Sequence, residues 1–110
     1  MPNLEAFMHS NLRAVWIDED SIRVYVRKGR RAINGMGVPC FDVANIEVDV
    51  DKRRQGVFKA WLARAEVLAR DHEFTCVLVE NVHNEHLLTY LLANGYRTGY
   101  HAPDCYYKLL

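Results

Sequence analysis

Residues able to do chemistry gather in two short stretches of this 110-residue chain. The first runs Ile46-Glu47-Val48-Asp49-Val50-Asp51-Lys52-Arg53-Arg54-Gln55-Gly56-Val57-Phe58-Lys59, where an extended pattern passes into the longest helical one. A helix start leaves N–H groups unpaired at the positive end of its dipole, which suits an anion. Lys52, Arg53 and Arg54 add positive charge, and Gly56 has no side chain to keep a phosphate from the backbone. A pyrophosphate suits such a turn, although a basic strand–helix turn also describes an ordinary solvated helix end. The second stretch is Val77-Leu78-Val79-Glu80-Asn81-Val82-His83-Asn84, followed by an amphipathic run to Asn94 and then Gly95-Tyr96. Asn84 reads as a helix cap, Glu85 as its first-turn acid and Gly95 as the residue past its end.

Four carboxylates lie on or beside strand-like runs and are candidates for moving a proton: Asp42, Glu47, Asp49 and Glu80. Each also fits a solvent-facing strand position. His83 and His86 stand three apart, but no further ligand is spaced to converge with them, so no metal is expected. Cys40, Cys76 and Cys105 are odd in number and lack Cys-x-x-Cys spacing, which reads as buried free thiols in a reducing cytoplasm. Arg27, Lys28, Arg30 and Arg31 form a basic run suited to a phosphate, an acidic partner or a solvated hairpin end.

The elements that must position these residues follow from periodicity. Pro2–Asn11 carries Leu4, Phe7 and Met8 at helical spacing behind Asn3. Leu12–Ile17 and Ile22–Arg27 read as an antiparallel hairpin around an acidic turn. Gly29–Pro39, with three glycines and a proline, reads as a loop. Phe41–Val50 is extended, with Ala44, Ile46, Val48 and Val50 expected on one apolar face and Asp42 beside Ala44 and Ile46 on it. Arg54–Asp71 repeats Val57, Phe58, Trp61, Leu62, Ala65, Leu68 and Ala69 at helical steps. Phe74–Val79 is apolar throughout, as in a strand buried on both faces. Tyr96–His101 and Cys105–Leu109 read as two closing strands. The expected fold class is α/β: a mixed, mostly antiparallel sheet around a right-handed parallel β-α-β core, with flanking helices.

Size and charge narrow the function. A chain of 12.8 kDa buries roughly 65% of its unfolded surface, enough for one two-layer domain over 1–110. Fourteen basic residues balance fourteen acidic ones, which disfavours nucleic acid as the main partner. Half the residues are apolar, so disorder is excluded, yet no run approaches the ~20 residues of a membrane span. No signal-peptide pattern opens the chain, and a cytoplasmic location is expected.

Taken together, the two stretches resemble the GNAT N-acetyltransferase superfamily, which moves an acetyl group from acetyl-CoA to an amine. That family places an Arg/Gln-x-x-Gly-x-Gly/Ala turn after its fourth strand and a strand–Asn–helix–Gly–aromatic block after its fifth. Here the first reads Arg53-Arg54-Gln55-Gly56-Val57-Phe58 behind Ile46-Glu47-Val48, and the second reads Asn84 through Gly95-Tyr96. The resemblance covers about residues 41–100 by motif and the first 40 by order of elements. It implies a GNAT-like acyl-CoA fold and acetyl-CoA as co-substrate, held by Ile46, Glu47, Val48, Arg53 to Lys59, and Asn84. It implies an amine acceptor, protein or small molecule, and a large partner or second copy completing the acceptor wall. Asp42 matches the strand-four glutamate that serves as base in the histone-acetylating branch, with Glu47, Asp49 and Glu80 as alternatives.

Three departures stand out. Phe58 takes the place of the second motif glycine, at a position that faces the helix–sheet contact. Leu91 stands where many members carry a tyrosine general acid, with Tyr90 one residue, about 100°, round the helix. The first strand and most of the first helical hairpin of the family have no counterpart. The alternative expectation is therefore an acyl-CoA-binding regulatory module with weak or no catalysis.

Overall fold

The computed structural model describes residues 3–19, 21–48, 56–98 and 100–110. Its elements are α1 (Leu4–His9), β1 (Ala14–Glu19), β2 (Ile22–Ile33), β3 (Met36–Val48), α2 (Val57–Asp71), β4 (Cys76–Val79), α3 (Glu85–Ala93) and β5 (Tyr106–Leu109). They build one five-stranded sheet in the order β1-β2-β3-β4-β5. All neighbours are antiparallel except β3 and β4, which pair in parallel from Cys40↔Cys76 to Val43↔Val79. The mixed α/β sheet with its parallel crossover through α2 is the fold class expected above.

The helices share one face of the sheet. Leu4 and Phe7 of α1, then Phe58, Trp61, Leu62, Ala65 and Ala69 of α2, and Leu91 of α3 pack into one core. The sheet supplies Ile17, Ile22, Val24, Val26, Phe41, Val43, Val77 and Val79 to it. Fully burying each large apolar side chain contributes ~1.5–3 kcal/mol, so this layer dominates the fold's stability. On the other face a smaller cluster joins Ile33, Cys40, Cys76, Leu78, Cys105 and Tyr107, with Tyr100 and Ala102 packed against it. All three cysteines are buried and free.

Two expected elements differ. Gly29–Pro39 is not a loop: β2 and β3 run on as one long hairpin, paired from Ile22↔Val48 to Ile33↔Met36. Asn34 (φ 52°) and Gly35 (φ 80°) make its two-residue turn, and positive φ at both is what the twist of a tight hairpin demands. Among the described residues of 96–101 there is no strand, only an isolated bridge from Arg97 to Tyr107. Tyr96 instead turns inward, where its hydroxyl donates to Glu66 Oε2 at 2.7 Å.

A third difference bears on the site. The β2–β3 register passes from Tyr25↔Asn45 to Val26↔Val43, which leaves Ala44 as an extra residue. One extra residue reverses which face every later side chain meets. Phe41 and Val43 therefore share the helix-side core with Ile46 and Val48, whereas Asp42 looks out from the opposite face with Asn45 and Glu47. The expectation that Asp42 sits beside Ile46 on one face does not hold.

Candidate active site

Beyond Val43 the two parallel strands part. Glu80 N–H still reaches Val43 O at 2.9 Å, but Val82 N–H donates to Asp104 O at 3.0 Å. Between the arms lies an open cleft of about 1290 Å³. Ile46, Glu47 and Val48 line one wall, and Asn81, His83 and Asn84 the other. Gly56, Val57, Phe58 and Lys59 close it where α2 begins, and His86 and Leu87 where α3 begins.

Each of these residues has a local reason for its place. Asn84 caps α3, its side-chain oxygen accepting from the N–H groups of His86 (2.8 Å) and Leu87 (3.2 Å). Gly56 precedes α2 at φ 74°, a left-handed conformation that favours glycine, and a β-carbon added there would meet nothing within 4 Å. Ala60 N–H bonds Gly56 O, the first turn of α2, and among the described residues no side chain caps this helix. Phe58 is nearly buried and stacks on Trp61 with ring centres 6.0 Å apart, so the bulky residue in place of the second motif glycine serves the helix–sheet contact. Ile46 N–H donates to Asn45 Oδ1 at 2.9 Å. Asp49, Arg53, Arg54 and Gln55 lie outside the described residues.

Beside the point where the strands part, on the face away from the helices and outside the cleft lining, is a compact charge cluster. Asp42 is wholly buried. Its Oδ2 accepts from Arg27 Nε (3.1 Å) and Nη2 (2.9 Å) and from Arg31 Nη2 (3.1 Å). Arg27 Nη2 also meets Glu80 Oε2 at 2.5 Å. Two carboxylates thus converge on one guanidinium. Burial, followed by the hydrogen bond that a protonated Asp42 donates to Glu80, pushes Asp42 up to about 7. Burial also opposes ionisation of Glu80, but the hydrogen bond shared with Asp42 and the arginines outweigh it and hold Glu80 below the usual range. The inner carboxyl therefore keeps a proton in the range where the outer carboxylate is ionised. Asp42 Oδ1 has no protein partner, whereas a fifth of the Glu80 side chain reaches solvent.

Of the sequence candidates, the structure brings Asp42 and Glu80 together on Arg27, outside the cleft lining, and Glu47 with Asn84 into the cleft walls. Tyr90 is elsewhere: it faces α2, where Lys59 Nζ lies 5.2 Å from its ring centre. Leu91 is wholly buried in the core. Arg27 and Arg31 were read only as members of a basic run, yet they bind the buried carboxylate. The alternation of β2 put Arg23, Tyr25 and Arg27 on one face, and that was the available signal. Among the described residues no group of His, Cys, Asp or Glu is arranged to hold a metal ion, and no helix is long and apolar enough to cross a membrane.

The fold has close counterparts among solved structures. The toxin AtaT, bound to the C-terminus of the antitoxin AtaR and to acetyl-CoA, superposes with a TM-score of 0.61. It is 15% identical over 80% of this chain and 57% of its own. A GNAT-family acetyltransferase from Listeria monocytogenes gives 0.57 at 12% identity, over 82% of this chain and 64% of its own. Another from Elizabethkingia anophelis, with acetyl-CoA bound, gives 0.51 at 14%, over 82% and 77%. The chain spans less than two thirds of the length of the first two. No protein-family model and no curated protein sequence matches it. The fold is that of the GNAT acetyltransferases.

Proposed function

We propose that the protein transfers an acetyl group from acetyl-CoA to an amine, in the cleft between β3 and the 80–84 segment. The observation that carries this reading is the parting of the two parallel strands after Val43 and Glu80 into a cleft walled by Ile46 to Val48 and by Asn81 to Asn84. Acetyl-CoA-bound structures with the same fold support it.

In this reading the cofactor's pyrophosphate meets the Gly56 turn, where the backbone is open and Lys59 adds positive charge. The pantetheine arm runs along Ile46 to Val48 opposite Asn84. Its thioester lies where the two strands part, and there the backbone of β3 offers N–H groups to polarise the carbonyl. Asn45 Oδ1 now holds the Ile46 N–H, and a ligand carbonyl would replace it. The acceptor amine must be neutral to attack, so a base, directly or through water, must take its proton. Asp42 was the first candidate, but it is sealed beneath two arginines. Glu80 is the accessible member, and we assign it the direct contact, with Asp42 sharing the proton behind it. The new C–N bond forms as the C–S bond breaks, and the thiolate leaves as CoA.

Incubation with labelled acetyl-CoA and a panel of amines, proteins included, tests the reading. Label transfer supports it. A second reading, binding without transfer, is favoured by Leu91 in the tyrosine position and by Tyr90 facing α2; it predicts retained CoA and no transfer.

Two binding results are expected. Gly56→Glu should lower acetyl-CoA affinity at least tenfold by calorimetry, ~1.4 kcal/mol. Gly56→Asn, which tolerates the left-handed backbone and carries no charge, should lose much less. Equal losses would assign the effect to backbone strain and remove the phosphate from this turn. Acetyl-CoA at a hundred times its Kd should also stabilise the fold by ~2.7 kcal/mol, a rise of several degrees in Tm. No rise at millimolar ligand would remove the cleft as the cofactor site.

A further inference from the structure

We propose that Asn81 is the positioning residue that opens the cleft. Parallel strands pair until something stops them, because each unpaired N–H and C=O loses a hydrogen bond. The stop here is local. Asn81 has φ 57°, a left-handed conformation that breaks an extended strand and that asparagine adopts far more readily than a β-branched residue. It turns the chain off the β3 ladder directly after the Glu80–Val43 hydrogen bond. The next amide, Val82 N–H, is thereby delivered to Asp104 O instead.

The side chain completes what the backbone begins. Asn81 Nδ2 donates to Ala44 O at 2.8 Å. Ala44 is the extra residue of the β3 bulge, so its carbonyl falls outside the regular β2 ladder. The amide of Asn81 takes up that carbonyl and so ties the two arms at the point where they separate. A bulge on one arm and a left-handed asparagine on the other meet through one hydrogen bond. The arms beyond it, Asn45 to Val48 and His83 to Asn84, are held apart as cleft walls. Glu80, the residue before this turn, pairs with Arg27 in the charged cluster beside the parting point.

This role rests on the acetyl-CoA reading only in what the cleft is said to bind; the parting of the strands is tested without ligand. Asn81→Val disfavours the left-handed backbone and removes the amide, whereas Asn81→Gly keeps the backbone and removes only the amide. Amide hydrogen exchange on the ligand-free proteins is the first measurement. In Asn81→Val the amides between Asn45 and Val48 should exchange at least tenfold more slowly, as the arms pair. CoA affinity by calorimetry should fall in the order wild type, Asn81→Gly, Asn81→Val, with the last at least tenfold below the first. Unchanged exchange in Asn81→Val, or Asn81→Gly weakening CoA as much as Asn81→Val, would overturn the proposal. If Asn81→Val does not fold, Asn81→Ala takes its place in both measurements. A wild-type protein that binds no CoA would remove the acetyl-CoA reading, and the exchange comparison would still decide the role of Asn81.

Discussion

Glu80→Gln is expected to lower the rate constant for amine acetylation by about 10²–10⁴ at neutral pH, the usual contribution of a positioned base. Glutamine keeps the length and the acceptor oxygen that meets Arg27 Nη2, but it cannot take a proton. Acetyl-CoA affinity should stay within about twofold, since Glu80 lies beyond the cleft walls that hold the cofactor. Raising the pH should recover part of the loss, because more of the acceptor amine is then already neutral. Glu47→Gln serves as the comparison, since Glu47 lies in the cleft wall. A Glu80→Gln enzyme with wild-type rate from pH 6 to 9 would remove Glu80 from the reaction. If Glu47→Gln then carried the loss, the base would lie on the open arm of β3.

The choice of Glu80 over Asp42 shows where sequence reasoning stopped. The two segments that build the cleft were legible because each carries its own signal. The α2 stripe from Phe58 to Ala69 recurs at helical spacing, Cys76 to Val79 is apolar without interruption, and Asn84 and Gly95 bracket α3. Their order alone required a parallel crossover. The bulge at Ala44 has no comparable signature: alanine fits a regular strand as well as a bulged one. Counting alternate residues across it placed Asp42 with Ile46, and a single uncounted residue moved it to the opposite face. Burial of Asp42 beneath Arg27 and Arg31 depends on the β2–β3 register, which that same residue shifts.

The long hairpin was misread for a different reason. Gly29, Gly35, Gly37 and Pro39 together resemble loop composition, yet only Gly35 is used for a turn. The Asn34-Gly35 pair was the stronger local signal, since few other dipeptides accept positive φ twice in succession. Pro39 is tolerated because its carbonyl is what the sheet uses, accepting from Thr75 N–H at 2.9 Å. The extended hairpin matters to the site. It carries Arg31 past the end of β1 and back over Asp42, so the guanidinium pair exists only because residues 29–39 are strand.

The second large effect concerns stability and pH. Asp42 ionises near 3.8 when the chain is unfolded and at about 7 when folded. Between those values the native state holds a proton that the unfolded state has released. Stability rises with pH only where the unfolded state binds more protons, so here the sign is opposite: this group's contribution falls as pH rises from about 4 to about 7. Three pH units correspond to ~4 kcal/mol, an upper figure because Glu80 shifts the other way and returns part of it. Asp42→Asn abolishes this titration while keeping a side chain of the same size beside the two arginines. Urea unfolding of both proteins at pH 4, 5.5, 7 and 8 isolates it by subtraction. The stability of wild type relative to Asp42→Asn should decline through that window and level off above pH 7, where Asp42 is ionised in both states. A flat difference would mean that Arg27 and Arg31 keep Asp42 ionised in the folded protein throughout. The inner carboxyl could then share no proton with Glu80, and Glu80 would have to act as the base alone.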